Sequence, residues 1–248
     1  DPEARVSIEV GDSKQPDFKP QFKVMRWDNE VNFSIRAQEE AGAKLKELPD
    51  GTIVYEATDY EVHQYDKPDA SEEGGFEFEW VLKKKPATNV LTATIQTKGL
   101  SFYYQPALTP EEMAEGGQRP ENVVGSYAVY HKTKANHRVG STNYATGKAF
   151  HIYRPKAIDA NGVETWAELN IDEVQGILSV KVPQGFLDTA VYPVRVDPTF
   201  GYTTIGATTG SISAGGQRIY GILYTLSENG DVTKLTRYDG SNSGTSNF

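Results

Sequence analysis

The residues best suited to chemistry lie in the run Val163-Glu164-Thr165-Trp166-Ala167-Glu168-Leu169-Asn170-Ile171-Asp172. Read as one strand, a period of two puts Val163, Thr165, Ala167, Leu169 and Ile171 on an apolar face. Trp166 then shares the opposite face with Glu164, Glu168, Asn170 and Asp172. A tryptophan on a wet face serves as a sugar platform or a partner contact, unless a loop or a second domain covers it. Trp166, Glu168 and Asn170 are therefore candidate binding residues.

Other chemistries find less support. His131, His137 and His151 fall within 21 residues, but no cysteine exists and no close acid completes a zinc tetrad. These histidines are expected to face solvent or to take hydrogen bonds, and no metal site is expected. Glycoside hydrolysis needs two carboxylates at a set separation, and among 34 acids some pair is always nearby. Glu77 and Glu79 share the polar face of one strand, where exposure to water is the expectation. The chain has no G-x-S-x-G elbow, P-loop, dinucleotide fingerprint, HExxH helix or EF-hand loop. Asp159-Ala160-Asn161-Gly162 imitates half a calcium loop, yet a β-turn accounts for all four residues. No catalytic residue and no cofactor are expected.

Fourteen tyrosines include Tyr103, Tyr104, Tyr127, Tyr130, Tyr144 and Tyr153. Tyrosine gives contact area plus a hydrogen bond at small rotamer cost, and it also suits strands in general. The polar loop Lys132–Lys148 is long for a hairpin and carries His137 and Tyr144, so it is the first choice for a partner contact.

The elements that must hold these residues are nearly all strands. Phe22–Trp27, Val31–Ala37, Gly51–Ala57 and Asp59–Tyr65 are short aromatic and β-branched runs. Leu48-Pro49-Asp50-Gly51 predicts a turn joining Ala43–Leu48 to Thr52–Ala57. Phe76, Phe78, Trp80 and Leu82 alternate with acids, and Leu91, Ala93 and Ile95 alternate with Thr92, Thr94 and Gln96. These two runs predict an antiparallel pair with Lys83-Lys84-Lys85 in its turn. Ser126–His131, Phe150–Arg154, Val163–Asp172 and Ile177–Val182 continue the series. Only Thr109–Ala114 reads as helix, with threonine as cap, Pro110 first and acids in the opening turn. The fold class is all-β: an antiparallel β-sandwich-like module.

Composition divides the chain. Of the first 199 residues 53 are charged, against 6 of the last 49, and those 49 include 26 Gly, Ser, Thr or Asn. The expected domains are 1–199, a sandwich-like module, and 200–248, the start of a second, jelly-roll-like β domain. A net charge of −9 argues against a nucleic-acid surface. No apolar run is long enough to span a membrane, and the lack of cysteine leaves the redox compartment unread. Asp1-Pro2 at the start and Ser-Asn-Ser-Gly-Thr-Ser-Asn-Phe at the end both look like cuts in a longer polypeptide.

The stretch Phe186-Leu187-Asp188-Thr189-Ala190-Val191-Tyr192-Pro193-Val194-Arg195-Val196-Asp197-Pro198-Thr199 resembles the end of a β-rich module in bacterial secreted surface proteins and phage structural proteins. Val81-Leu82-Lys83 with Pro86, Ile95–Leu100, and Tyr153-Arg154-Pro155 before Asp159–Gly162 fit the same module in order. The resemblance covers roughly residues 50–200 and implies a non-catalytic spacer or scaffold, with no catalytic residues to carry over. The expectation is a non-enzymatic structural or adhesive protein of a virion or cell surface, extracellular or particle-borne, in a homo-oligomeric or particle assembly. The alternative is a secreted carbohydrate-binding or glycoside-processing protein using Trp166, Glu168 and the Lys132–Lys148 loop. A released fragment of an assembled filament is a third reading.

Overall fold

The computed structural model describes residues 6–11, 21–67, 75–114, 117, 119–134, 138–139, 142–143 and 147–201. Three strands open the chain: β1 (Val6–Val10), β2 (Gln21–Arg26) and β3 (Val31–Ala37). Then come β4 (Lys44–Glu47), β5 (Ile53–Glu56), β6 (Tyr60–Asp66), β7 (Gly75–Leu82), β8 (Val90–Lys98) and β9 (Leu100–Tyr104). Helix α1 (Pro110–Ala114) precedes β10 (Tyr127–His131), β11 (Arg138–Val139), β12 (Thr142–Asn143) and β13 (Lys148–Ile152). They are followed by β14 (Lys156–Ile158), β15 (Glu164–Trp166), β16 (Glu168–Asp172) and β17 (Ile177–Lys181). Helix α2 (Gln184–Thr189) leads into β18 (Val194–Asp197) and β19 (Thr199–Gly201).

The protein is an all-β sandwich. One sheet has six strands in the order β1-β2-β3-β8-β17-β16. The other has eleven: β4, β5, β6 and β7 run side by side, and β18 and β19 lie end to end along the far edge of β7. There the sheet forks, since β18 continues into β14 and β15 while β19 continues into β13, β10 and β9. All these pairings are antiparallel, and β11 and β12 form a separate ribbon. Aromatic rings pack within and between the two sheets. Phe22 stacks on Phe76 with centroids 3.7 Å apart, Phe76 stacks on Phe200 at 4.3 Å, and Phe33 meets Phe150 at 5.5 Å. Such ring pairs add to the area term that dominates the core.

Several expectations hold. The Pro49-Gly51 turn joins β4 to β5, with Lys44 opposite Glu56 and Glu47 opposite Ile53. Gly51 there has φ +86°, a left-handed geometry that a side chain would resist. Helix α1 forms where its capping signals stand: Thr109 Oγ1 accepts from the Glu112 N–H at 3.2 Å, and the Glu112 carboxylate accepts from the Thr109 N–H at 2.7 Å.

Other expectations are corrected. β7 and β8 do not pair; they sit in opposite sheets and face each other across the core. Lys83–Asn89 is a crossover, pinned where Asn89 exchanges hydrogen bonds with Val182 at 2.9 Å. Its lysines are exposed and engage Asp59 and Asp188 rather than capping a hairpin. Alternation reports an inward face, and strands that sit side by side or face to face present the same pattern. Val163–Asp172 is not one strand either. It breaks at the buried Ala167, with β15 in the large sheet and β16 in the small one. Helix α2 was not expected. It follows Pro183, contains Gly185, buries Leu187 fully and packs the half-buried Phe186 against the same core. The first module includes Phe200 and Gly201, since Phe200 is fully buried and β19 pairs with both β7 and β13. The expected second domain lies outside the described residues beyond that point.

Candidate functional site

Two prolines open the fork. Pro198 separates β18 from β19, and Pro155 follows β13 on the neighbouring strand. Proline lacks an N–H, so the ladder between these strands cannot run through. The Tyr153 N–H to Thr199 O and Ala167 N–H to Pro155 O bonds extend the β13–β19 and β14–β15 ladders, while the Arg154 N–H turns aside to Asn122 O, each at 2.9 Å. The gap becomes a concavity of about 390 Å³ whose walls include Trp166, Arg154, Lys156, Asp197, Asn122 and Tyr153. Register places Asp197 opposite Lys156 and Lys156 opposite Trp166, so all three project from one sheet face. The Arg154 guanidinium carbon lies 5.1 Å from the Trp166 ring centroid and the Lys156 amine 4.7 Å. Both are cation–π distances. Lys156 also bonds Glu164 at 2.8 Å.

Beside this wall lies a buried charge layer on the outer face of β7. Glu77 and Glu79 are 0% and 2% exposed, a correction to their expected place in water. Arg195 grips Glu79 with two bonds, Nε to Oε1 at 2.6 Å and Nη2 to Oε2 at 2.7 Å. Glu77 Oε1 accepts from Lys67 Nζ and, at 2.7 Å, from Thr199 Oγ1, while its Oε2 has no hydrogen-bond partner. Burial raises the Glu77 carboxyl above its usual range against the pull of Lys67. Burial, reinforced by Glu77, pushes Asp197 up to about 7. Asp197 is thus the lining group able to exchange a proton near neutrality.

The structure separates the residues that the sequence grouped. Trp166 lines the fork, whereas Glu168 and Asn170 line a second concavity of about 460 Å³ with Tyr104, Tyr127, Ser179 and Lys181. The cause is the switch of sheet at Ala167. Glu168 pairs with Lys181 at 3.4 Å, and Tyr104 meets Tyr127 edge-on at 5.4 Å. His137 and Tyr144 lie outside the described residues.

The His131 and His151 side chains are buried and bonded within the fold. The buried His131 side chain accepts from the Thr133 and Lys134 N–H groups through Nδ1, each at 3.1 Å. Its ring also packs on Trp27 at 5.6 Å. His151 Nε2 lies 2.6 Å from Ser126 Oγ, a distance at which a base can activate a serine. Here it does not, because Ser126 gives its one proton to Val123 O and must accept from the imidazole. Both residues are 1% exposed or less, so no substrate reaches them. Among the described residues no group of three or more His, Cys, Asp or Glu could hold a metal ion. Asp159 gathers the N–H groups of Asn161, Val163 and Val191 at 2.9–3.0 Å, as a turn anchor does.

No family profile, curated protein or solved structure matches the chain. The site residues that sequence reading missed are Arg154, Lys156 and Asp197. Their signal was present in two forms: cations flanking Pro155, and Arg195 and Asp197 alternating with Val194 and Val196.

Proposed function

We propose that the chain is a non-enzymatic structural or adhesive protein of a virion or cell surface, a scaffold that presents a binding surface. The Trp166 concavity carries the reading. It is open, it is built on strands, and among the described residues Asp197 is the one carboxylate in its lining. Hydrolysis of a glycosidic bond by the usual route needs two carboxylates across the substrate. A lone acid beside cations and an aromatic ring binds without cleaving. Among the described residues, the Ser126–His151 pair is buried away from substrates. Strands β1 and β16 edge the small sheet, and such edges accept strands from neighbouring copies or partner proteins.

The carbohydrate-binding part of the alternative draws on the same tryptophan; the glycoside-processing part lacks its second acid among the described residues. Incubation with a panel of polysaccharides, followed by mass spectrometry of the sugars, separates the readings. Retention of intact polysaccharide, together with higher-order species in mass photometry at rising concentration, is expected. Accumulation of shortened sugars, or a strictly monomeric, non-binding protein, would overturn the reading.

A further inference from the structure

Two of the cations in the Trp166 concavity are paired, Lys156 with Glu164 and Lys67 with Glu77, whereas Arg154 has no carboxylate partner among the described residues. Arg154 Nε donates to Ala167 O at 3.4 Å, and that is the one hydrogen bond of its guanidinium among the described residues. Both terminal nitrogens remain for a ligand. The ring of Trp166, 5.1 Å from the guanidinium carbon, and the bond to Ala167 O orient the guanidinium. A fixed guanidinium fork matches two oxygens of a carboxylate or sulfate, which a lysine amine cannot do. Around the fork stand neutral groups, Asn122, Tyr153 and Thr199, and the ring of Trp166. Aromatic rings suit the C–H faces of a sugar, and amide and hydroxyl groups suit its hydroxyls.

We infer that this concavity binds an acidic glycan, with Arg154 holding its carboxylate or sulfate and Trp166 flanking the sugar. The inference rests on the adhesive reading and names its ligand class. A net charge of −9 repels polyanions from the molecule as a whole, so capture of one reports a local site. Asp197 gives the site a pH dependence. It is faced by Glu77 and Glu79 from β7, Lys67 and Tyr65 from the β6 side, Lys156 from β14, and Arg195 on its own strand. Protonated, it donates to a sugar oxygen; ionised, it repels the anion. Affinity therefore falls as pH rises through about 7.

Calorimetric titration of the whole chain with oligogalacturonate, a sulfated oligosaccharide, a neutral dextran oligomer and sodium sulfate tests this. Binding of at least one acidic oligosaccharide, weaker at pH 8 than at pH 6, is expected, with no comparable heat from dextran or sulfate. Arg154→Gln should weaken it by about tenfold to a hundredfold, the range for losing hydrogen bonds to a charged group. Trp166→Ala should weaken it with little change in the melting temperature, and Lys181→Gln in the other concavity should leave it unchanged. If Arg154→Gln melts early, Arg154→Lys serves instead, since it keeps the charge and loses the fork. Equal binding by wild type and a folded Arg154 variant overturns the inference, as does sulfate alone binding as tightly as the sugar. Binding confined to neutral sugars overturns it while leaving the adhesive reading in place. Cleavage of the oligosaccharide overturns that reading itself.

Discussion

β7 and β8 lie on opposite sides of one core and carry the same alternation, but their outer faces live in different media. On β8, Thr94 and Gln96 are exposed to water. On β7, Glu77 and Glu79 are as buried as Phe76 and Phe78, with which they alternate. The difference lies in the neighbouring strands. β8 is flanked by β3 and β17, which offer Ser34 beside Gln96 and Ser179 beside Thr92. β7 is flanked by β18 and β19, which offer Arg195 and Thr199 directly over the two acids. A carboxylate leaves water only where charged or hydrogen-bonding partners replace it. The outer face of β7 is therefore a second, polar interior, and the fork lies beside it, with Lys67, Asp197 and Thr199 common to both.

The largest expected effect belongs to the inward face. Trp80 is 2% exposed and meets Phe78 edge-on at 5.1 Å. Trp80→Ala should cost about 3–5 kcal/mol in denaturant unfolding, the usual range for emptying a buried aromatic site. A midpoint equal to wild type would mean that β7 is not the strand that anchors the large sheet to the core.

The polar interior makes its own demand on pH. The unfolded Asp197 titrates near 3.8 and the folded one at about 7. Between those values the folded state keeps a proton that the unfolded state has lost. Its contribution is complete below 3.8 and disappears as pH rises through about 7, with a slope of up to about 1.4 kcal/mol per pH unit. Asp159 works the other way. Its carboxyl is held low by the Val191, Val163 and Asn161 N–H groups, so its contribution is lost only as pH falls below the ordinary carboxylate range. The two windows barely overlap. Stability measured from pH 5 to 8 should fall in wild type and fall less steeply in Asp197→Asn, where the raised Glu77 carboxyl still contributes; parallel profiles would show that Asp197 is solvated.

Arg195→Ala should cost about 2–3 kcal/mol, below the full penalty for breaking a buried pair because the guanidinium is itself half exposed. The effect should vanish in Glu79→Gln, where no charge is left to compensate, and a double-mutant cycle reads this directly. Gln64 gives an effect of the opposite sign. It points inward on β6, opposite Phe78, is 1% exposed, and neither polar atom of its amide has a hydrogen-bond partner. Gln64→Leu should stabilise by about 1–2 kcal/mol, since it removes a desolvated amide at similar volume. A loss of stability would reveal a role for that amide in the native core.

Much of the fold could be read from particular residues. Phe76, Phe78, Trp80 and Leu82 announced their face, Pro49-Asp50-Gly51 its turn, and Thr109-Pro110 its short helix. The sheet to which each strand belongs could not be read, because alternation is blind to what lies across the ladder. The same alternation therefore fits a β7–β8 hairpin, and one unbroken Val163–Asp172 strand puts Trp166 beside Glu168. The burial of Glu79 was illegible for a related reason. Its partner Arg195 is 116 residues away, and only the folded ladder brings the two together. At the site, Trp166 stood out as a large ring among acids, while Arg154 was hidden because its role depends on a ladder gap made by two distant prolines.

The smallest expected effect is the sharpest control on the contrast. Thr94 on β8 is exposed, and its hydroxyl reaches Arg36 O only at 3.5 Å. Thr94→Ala should change stability by less than about 0.5 kcal/mol, the cost of some strand propensity and one weak bond. Thr94→Glu carries the argument further, because it writes the β7 pattern onto β8. On an open face water solvates the new carboxylate, so the change should again stay within about 0.5 kcal/mol and show no pH dependence above the ordinary carboxylate range. A larger loss, growing as pH rises from 5 to 7, would mean that this face too is closed to water, and the distinction between the two strands would be one of partners alone.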